Sequence, residues 1–178
     1  LNAQISWVKT FNQKHNFRIK ASNTNIYYSY TDNAYYQVGS PARSHLISLD
    51  LNGNLNWNKE IGGTHISDLS VSTNEEILLV GSPSMVYKLN SLGEVIKQHN
   101  ISVSSYSNII STIDNGFVIS RGFEYYVSFY KYDSEGELDW NINYGDTNYI
   151  HNDVFFPKKM CELSDGGFLF GYIYATPF

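Results

Sequence analysis

The side chains that most often carry chemistry are sparse in this chain. It has five histidines, His15, His45, His65, His99 and His151, and one cysteine, Cys161. A helical zinc site needs two histidines at i and i+4, and a zinc ribbon needs several thiolates; neither pattern occurs. Only His151-Asn152-Asp153 sets an imidazole beside a carboxylate. Cys161 would need a histidine from elsewhere to act as a nucleophile. Its setting, Met160-Cys161-Glu162-Leu163, reads instead as a strand in which the cysteine is a small core residue. There is no Gly-x-Ser-x-Gly elbow and no phosphate-binding glycine loop. Asp50-Leu51-Asn52-Gly53-Asn54 spaces oxygen ligands as a calcium loop does, but Lys59, Glu60 and Ile61 follow where an EF-hand would supply its closing acid. Asp133 to Glu137 repeats the same shape, which is that of a hairpin turn. No metal and no cofactor is expected.

The elements that position these residues are strands. Five alanines stand against 15 tyrosines, 10 phenylalanines and 13 glycines, a mixture poor in helix formers and rich in strand and turn formers. Apolar residues come in short alternating bursts such as Leu46-Ile47-Ser48-Leu49, and nothing sustains a 3.6-residue period over three turns. The chain reads as all-β, and its 178 residues suit a single domain. With 12 basic and 17 acidic residues it has no basic stripe to hold a phosphate backbone, so no nucleic-acid partner is expected. Its longest apolar runs, such as Ile77 to Val80, fall far short of a membrane-spanning segment. At the start, Leu1 and Ala3 suit the positions before a secretory cleavage site with Gln4 as the mature start, and equally suit an arbitrary boundary.

A repeat organises the strands. Ile47 to Trp57, Val86 to Ile96 and Phe129 to Trp140 each read as a strand, a turn centred on Gly53, Gly93 or Gly136, and a second strand. Glycine gives the reversal its positive φ, and Asp50, Asn90 or Asp133, three residues earlier, can bond the turn backbone. The second repeat has Ile96 where the others have tryptophan. A second landmark, a polar turn and then a strand closing on glycine, recurs at Asp32 to Gly39, Asn74 to Gly81, Asp114 to Gly122 and Asp165 to Gly171. Four strands in about 42 residues, repeated, is the size of a β-propeller blade. The expectation is a β-propeller with about four four-stranded blades, at 23–60, 65–101, 105–143 and an incomplete 149–178. Residues 5–11, which match the fourth strand of a blade, are expected to act as the closing strand. Because the last blade lacks its outer strands, the complete ring is expected to hold six to eight blades, on the order of 250 to 340 residues.

In a propeller the loops after the second strand of each blade gather on one face, and loops on a rigid scaffold are where binding residues concentrate. Those loops place Arg43, His45, Arg121, Glu124 and Tyr125 as candidate binding residues. The segment 148–159 reads as a lengthened connection between blades, with Tyr149, Phe155 and Phe156 as a further contact patch. The alternative for these aromatic residues is that they cover sheet faces, the usual place of tyrosine in an all-β protein.

Val86-Tyr87-Lys88-Leu89-Asn90 with Gly93, and Leu49-Asp50 with Gly53 and Trp57, resemble the quinoprotein-dehydrogenase-like (PQQ-like) propeller repeat. The run from Gly53 to Gly63 and Asp165-Gly166-Gly167-Phe168 to Gly171 are also similar to repeats of large secreted and surface proteins of Bacteroidetes. The resemblance implies a non-catalytic binding module of a secreted, periplasmic or cell-surface bacterial protein that recognises a protein or glycan partner, within a larger envelope assembly. The alternative it implies is an enzyme with its site on the ring axis, formed by blades outside this stretch. The vicinal disulfide of quinone-dependent members has no counterpart in a chain with one cysteine, so the enzyme reading is the less favoured.

Overall fold

A computed structural model describes residues 15–31, 43–62, 65–82, 85–101, 107–122, 126–145 and 154–175. Every element among them is a strand. The first sheet runs β1 (His15–Ala21), β2 (Asn25–Thr31), β3 (Arg43–Asp50) and β4 (Leu55–Gly62). The second runs β5 (His65–Val71), β6 (Ile77–Ser82), β7 (Met85–Leu89) and β8 (Val95–Asn100). The third runs β9 (Ser107–Ser111), β10 (Phe117–Gly122), β11 (Tyr126–Tyr132) and β12 (Leu138–Gly145). The fourth holds β13 (Val154–Glu162) and β14 (Phe168–Ala175). Each sheet is an antiparallel meander, and the first strands β1, β5, β9 and β13 lie side by side in that order. Successive meanders packed face to face, with their first strands innermost, are the blades of a propeller. Three blades are complete here, and the fourth shows two strands.

The core lies between blades. In Ile77-Leu78-Leu79-Val80 of β6, Ile77 and Leu79 pack with Tyr27, Leu46, Ile66 and Leu69, between the first and second sheets. Leu78 and Val80 point the other way and pack with Val86, Ile109, Phe117 and Ile119, between the second and third. A strand covered on both faces carries an unbroken apolar run, which is why β6 shows no alternation. At about 25 cal/mol per Å², such side chains supply roughly 1.5–3 kcal/mol each when fully buried, and burial is what holds a chain with no disulfide together.

The hairpin turns are built as their sequence indicates. Asp50 Oδ1 accepts the N–H groups of Asn52 and Asn54, both at 2.8 Å, and its Oδ2 accepts the Asn54 side-chain amide at 2.8 Å. The Asn54 side chain, and then its backbone, hold the Asp50 carboxyl below its ordinary range. Asn90 and Asp133 cap their own turns in the same way. Both oxygens of the Asp50 carboxylate are therefore engaged by its own turn.

Four expectations need correction. The first sheet begins at His15 rather than at residue 23, where the first blade is expected to start, and the strand that opens near that point, β2, is the second of its blade. Its inner turn is Ser22-Asn23-Thr24, where the Ser22 hydroxyl accepts the N–H of Asn25 at 3.0 Å. The Ser22 hydroxyl does there what the Ser72 hydroxyl does in the second blade and what Asp114 and Asp165 do in the third and fourth; the glycine-terminated copy expected at 32–39 lies outside the described residues, as does 5–11. In the second blade Lys97, not Ile96, holds the tryptophan position, since Ser48 pairs with Trp57, Lys88 with Lys97 and Lys131 with Trp140. The lengthened connection at 148–159 ends early, because β13 starts at Val154 and tolerates Pro157 at a register shift between Pro157 and Lys159. Cys161 does lie in a strand but is exposed. Its neighbour Met160 takes the side that faces the third blade.

Candidate functional site

The sheets have two unlike ends. At one end, tight turns join β1 to β2, β3 to β4 and their equivalents. At the other, the strands lead into segments 32–42, 63–64, 83–84, 102–106, 123–125 and 146–153, which lie outside the described residues. Arg43, His45 and Arg121 sit at this second end. Arg43 opens β3, is mostly exposed, and holds Nε 4.0 Å from Glu60 Oε1. His45 stacks on Tyr30 with ring centroids 4.7 Å apart. Arg121 lies near the end of β10 between Ser107 and Ser128, with its Nε buried. Arg43 and His45 share the first blade and Arg121 is two blades away. Glu124, Tyr125 and Tyr149 fall outside the described residues. Phe155 and Phe156 lie in β13, paired in register with Tyr174 and Ile173.

The inner strands hold polar groups that sequence reasoning missed. Arg18 Nε donates to the Ser67 carbonyl at 2.7 Å and lies 3.9 Å from Asp68 Oδ1. Asp68 Oδ2 accepts the Ile109 N–H at 3.2 Å, so one carboxylate links three blades. Burial raises the Asp68 pKa, opposed by the N–H groups of Ile109 and Leu69 and by the charges of Lys20 and Arg18. His65 is shifted down, first by burial and then by Arg18. Similar ties recur along the innermost edges. Ile66 N–H donates to Ser44 Oγ at 3.3 Å, and Ser111 N–H donates to Ser70 Oγ at 2.9 Å. These side chains satisfy backbone groups at strand edges, where an orphaned donor would cost roughly 1–3 kcal/mol. The one sequence signal was Asp68 itself, a lone acid among the apolar and small residues from Ile66 to Val71.

A second buried charge lies within the third blade. Lys131 Nζ sits 2.8 Å from Asp114 Oδ2 and 3.3 Å from Asp139 Oδ2, and donates to the Tyr132 carbonyl at 2.9 Å. Burial would raise the Asp114 pKa, but the bonds from Lys131, Thr112 and Gly116 outweigh it and bring the value down to about 2. Lys88, the same position one blade earlier, pairs with Glu76 at 2.8 Å. The repeated Tyr-Lys in the sequence is the trace of this clamp between a third strand and an inner turn. Among the described residues no group of three or more His, Cys, Asp or Glu side chains is placed to hold a metal ion.

The rim between the third and fourth blades differs from the others. There Val118, Phe129, Trp140, Ile142, Tyr144, Met160, Phe168 and Phe170 line a cavity of about 260 Å³. Phe129 and Phe170 meet there at a tilt, with centroids 4.2 Å apart, and Trp140 meets Phe168 edge-on at 5.7 Å. Toward the outside Ile142 and Tyr144 are more than half exposed.

No family model and no curated protein matches this chain. Among solved structures it is similar to a protein of unknown function from Bacteroides caccae, with a TM-score of 0.59 and 14% identity over 88% of this chain and 55% of that one. It also matches the β-propeller domain of the Trilobed protease from Pyrococcus furiosus, described as having an open velcro topology (TM-score 0.47, 11% identity, 93% of this chain and 56% of that one). A third match is the subtype N11 neuraminidase-like protein of a flat-faced bat H18N11 virus (TM-score 0.46, 10% identity, 89% and 52%). The first likeness is one of fold. The chain spans about half the length of each of these three structures. Among the described residues no helix is long and apolar enough to cross a membrane.

Proposed function

We propose that this chain is part of a non-catalytic propeller that binds a protein or glycan partner through the sheet ends carrying Arg43, His45 and Arg121, as a module of a secreted or cell-surface bacterial protein. The observation that carries the reading is the contrast between the two ends. The tight-turn end consumes its own donors and acceptors in Asp50, Asn90 and Asp133 caps. At the other end an exposed guanidinium and a stacked histidine stand where the strands meet segment 32–42, on a scaffold stiffened by interblade bonds. Bacterial surface location rests on the likeness of Gly53 to Gly63 and Asp165 to Gly171 to Bacteroidetes surface repeats.

Binding of the labelled protein to glycan arrays and to purified envelope proteins tests this. An Arg43→Ala/Arg121→Ala double variant should bind at least tenfold more weakly, and Arg43→Ala alone, at an exposed side chain, should weaken binding with an unchanged melting temperature. Binding that ignores both substitutions, or protein found only inside cells on surface proteolysis, would overturn the reading.

A further inference from the structure

We infer that the tight-turn end of the blades, opposite the end that carries Arg43, His45 and Arg121, is a second interaction surface, and that it seats a segment of a partner protein in which lysine or arginine alternates with apolar side chains. Two independent features of the turns meet there. The first is charge. The turns at 22–24, 50–54, 72–76, 90–94, 112–116, 133–137 and 163–167 hold nine of the chain's 17 acidic residues and none of its 12 lysines and arginines. The rest of the chain has 12 basic residues against eight acidic ones, so the net charge of -5 is concentrated at this end. Lysines of the flanking strands offset part of it: Lys88 pairs with Glu76 at 2.8 Å, Lys97 with Glu135 at 2.7 Å and Lys131 with Asp114 at 2.8 Å. Among the described residues Glu94, Glu137 and Asp165 form no ion pair.

The second feature is apolar exposure. Tight turns select glycine, asparagine, aspartate and serine for reasons of backbone geometry, and a leucine or isoleucine has no such role in them. Yet Leu51, Leu92, Ile113 and Leu163 stand in four of these turns, all exposed, and Ile113 at 78% is the most exposed large apolar side chain among the described residues. Adjacent blades tie the turns into one surface. Asn74 Nδ2 donates to Asn115 Oδ1 at 2.8 Å, the Ile113 N–H donates to Glu162 Oε2 at 2.7 Å, and Trp57 Nε1 donates to the Ser91 carbonyl at 3.0 Å.

Charge complementarity defines the occupant. Hydrogen bonds inside a cap use the oxygens of a carboxylate without removing its charge: the Asn54 side chain lowers the Asp50 pKa and Lys97 lowers that of Glu135, so the surface stays negative in mild acid. Acids interleaved with apolar tips match a segment of the reverse pattern, whose cations meet the acids at the rim while its apolar side chains cover the tips. A phosphate backbone or an anionic lipid surface would be repelled.

The test titrates the 178-residue chain into a short labelled peptide that alternates lysine and leucine, with a peptide alternating lysine and serine as the control, and follows fluorescence anisotropy. The lysine–leucine peptide should bind about fivefold more tightly than the control or better, and raising the salt from about 50 to about 300 mM should weaken it about tenfold. Glu94→Gln/Glu137→Gln should weaken it about fivefold, and so should Leu92→Ser. All three side chains are exposed, so the melting temperature should not move. Leu51→Ser, on the neighbouring blade, should act as Leu92→Ser does, and Arg43→Ala, at the other end, should leave the affinity unchanged. Equal affinity for the two peptides, or a loss in the charge variant with none in either leucine variant, would reduce the surface to general attraction by acids and overturn the proposal. Binding lost in Arg43→Ala and kept in both leucine variants would overturn it as well.

Discussion

The interface between the first and second blades and the one between the third and fourth start from the same tryptophan and end differently. Trp57 finds a carbonyl and a glycine turn, whereas Trp140 faces a cavity of about 260 Å³. The side chain is the same type in the same register, so the difference lies in the neighbour. In this repeat a blade is completed by the outer hairpin of the next one, and stability is a property of adjacent pairs.

Glycine substitutions should show the contrast most strongly. Gly93 has φ 73° and no space for a Cβ, whereas Gly166 has φ 82° and nothing within 4 Å of the same added atom. Gly93→Ala should cost about 3 kcal/mol or more, combining left-handed backbone strain with overpacking. Gly166→Ala should cost about 1 kcal/mol from backbone strain alone. Urea denaturation of both variants measures this, and equal losses would remove the distinction between a gripped turn and an open one.

Tryptophan truncation comes next. Trp57→Ala should cost about 3 kcal/mol, toward the low end for large core aromatic residues because the ring is part-exposed, and Trp140→Ala about 1 kcal/mol. A Trp140 loss matching that of Trp57 would show that the rim is already filled.

The buried lysine gives a third comparison, within the third blade. Lys131→Met should cost about 1–2 kcal/mol, well below the figure for a fully buried pair because Asp114 is half exposed. It should also change the acid limb. The Asp114 pKa is depressed to about 2, so its stabilisation is complete above its ordinary value near 3.8 and is lost as pH falls from there through about 2. Melting temperatures between pH 5 and 2 should fall steeply in the parent chain and less steeply in Lys131→Met.

The smallest effect is expected from His99 between the second and third blades. Burial, then Lys97 and Lys88, lower its pKa, and its Nε2 has no hydrogen-bond partner among the described residues. The unfolded chain takes up a proton more readily, so stability is full above about pH 6.5 and declines as pH drops below it. His99→Gln should flatten the change between pH 7 and 5 by a few tenths of a kcal/mol.

The repeat was legible in sequence where glycine and an acid carry the turn, as at Asp50 and Gly53 or Asp133 and Gly136. It misled at the first blade, where the inner turn Ser22-Asn23-Thr24 holds neither an acid nor a glycine to mark the strand that precedes it. Lys97 was missed because a salt bridge to Glu135 replaces ring packing, a substitution with no hydrophobic signal. Asp68 and Arg18 meet only when two blades are laid together, and a repeat pattern describes each blade singly. The aromatic rim shows why Trp140 and Phe170 could be read only as sheet residues: what makes them unusual is the cavity they line with side chains of another blade.

Native-state amide hydrogen exchange on the 178-residue chain tests the central claim most directly. If adjacency sets stability, Leu79 and Ile119 should exchange only through global unfolding, while Met160 and Phe170 should exchange at least tenfold faster through local opening of the fourth sheet. Equal protection in all four sheets would contradict the account.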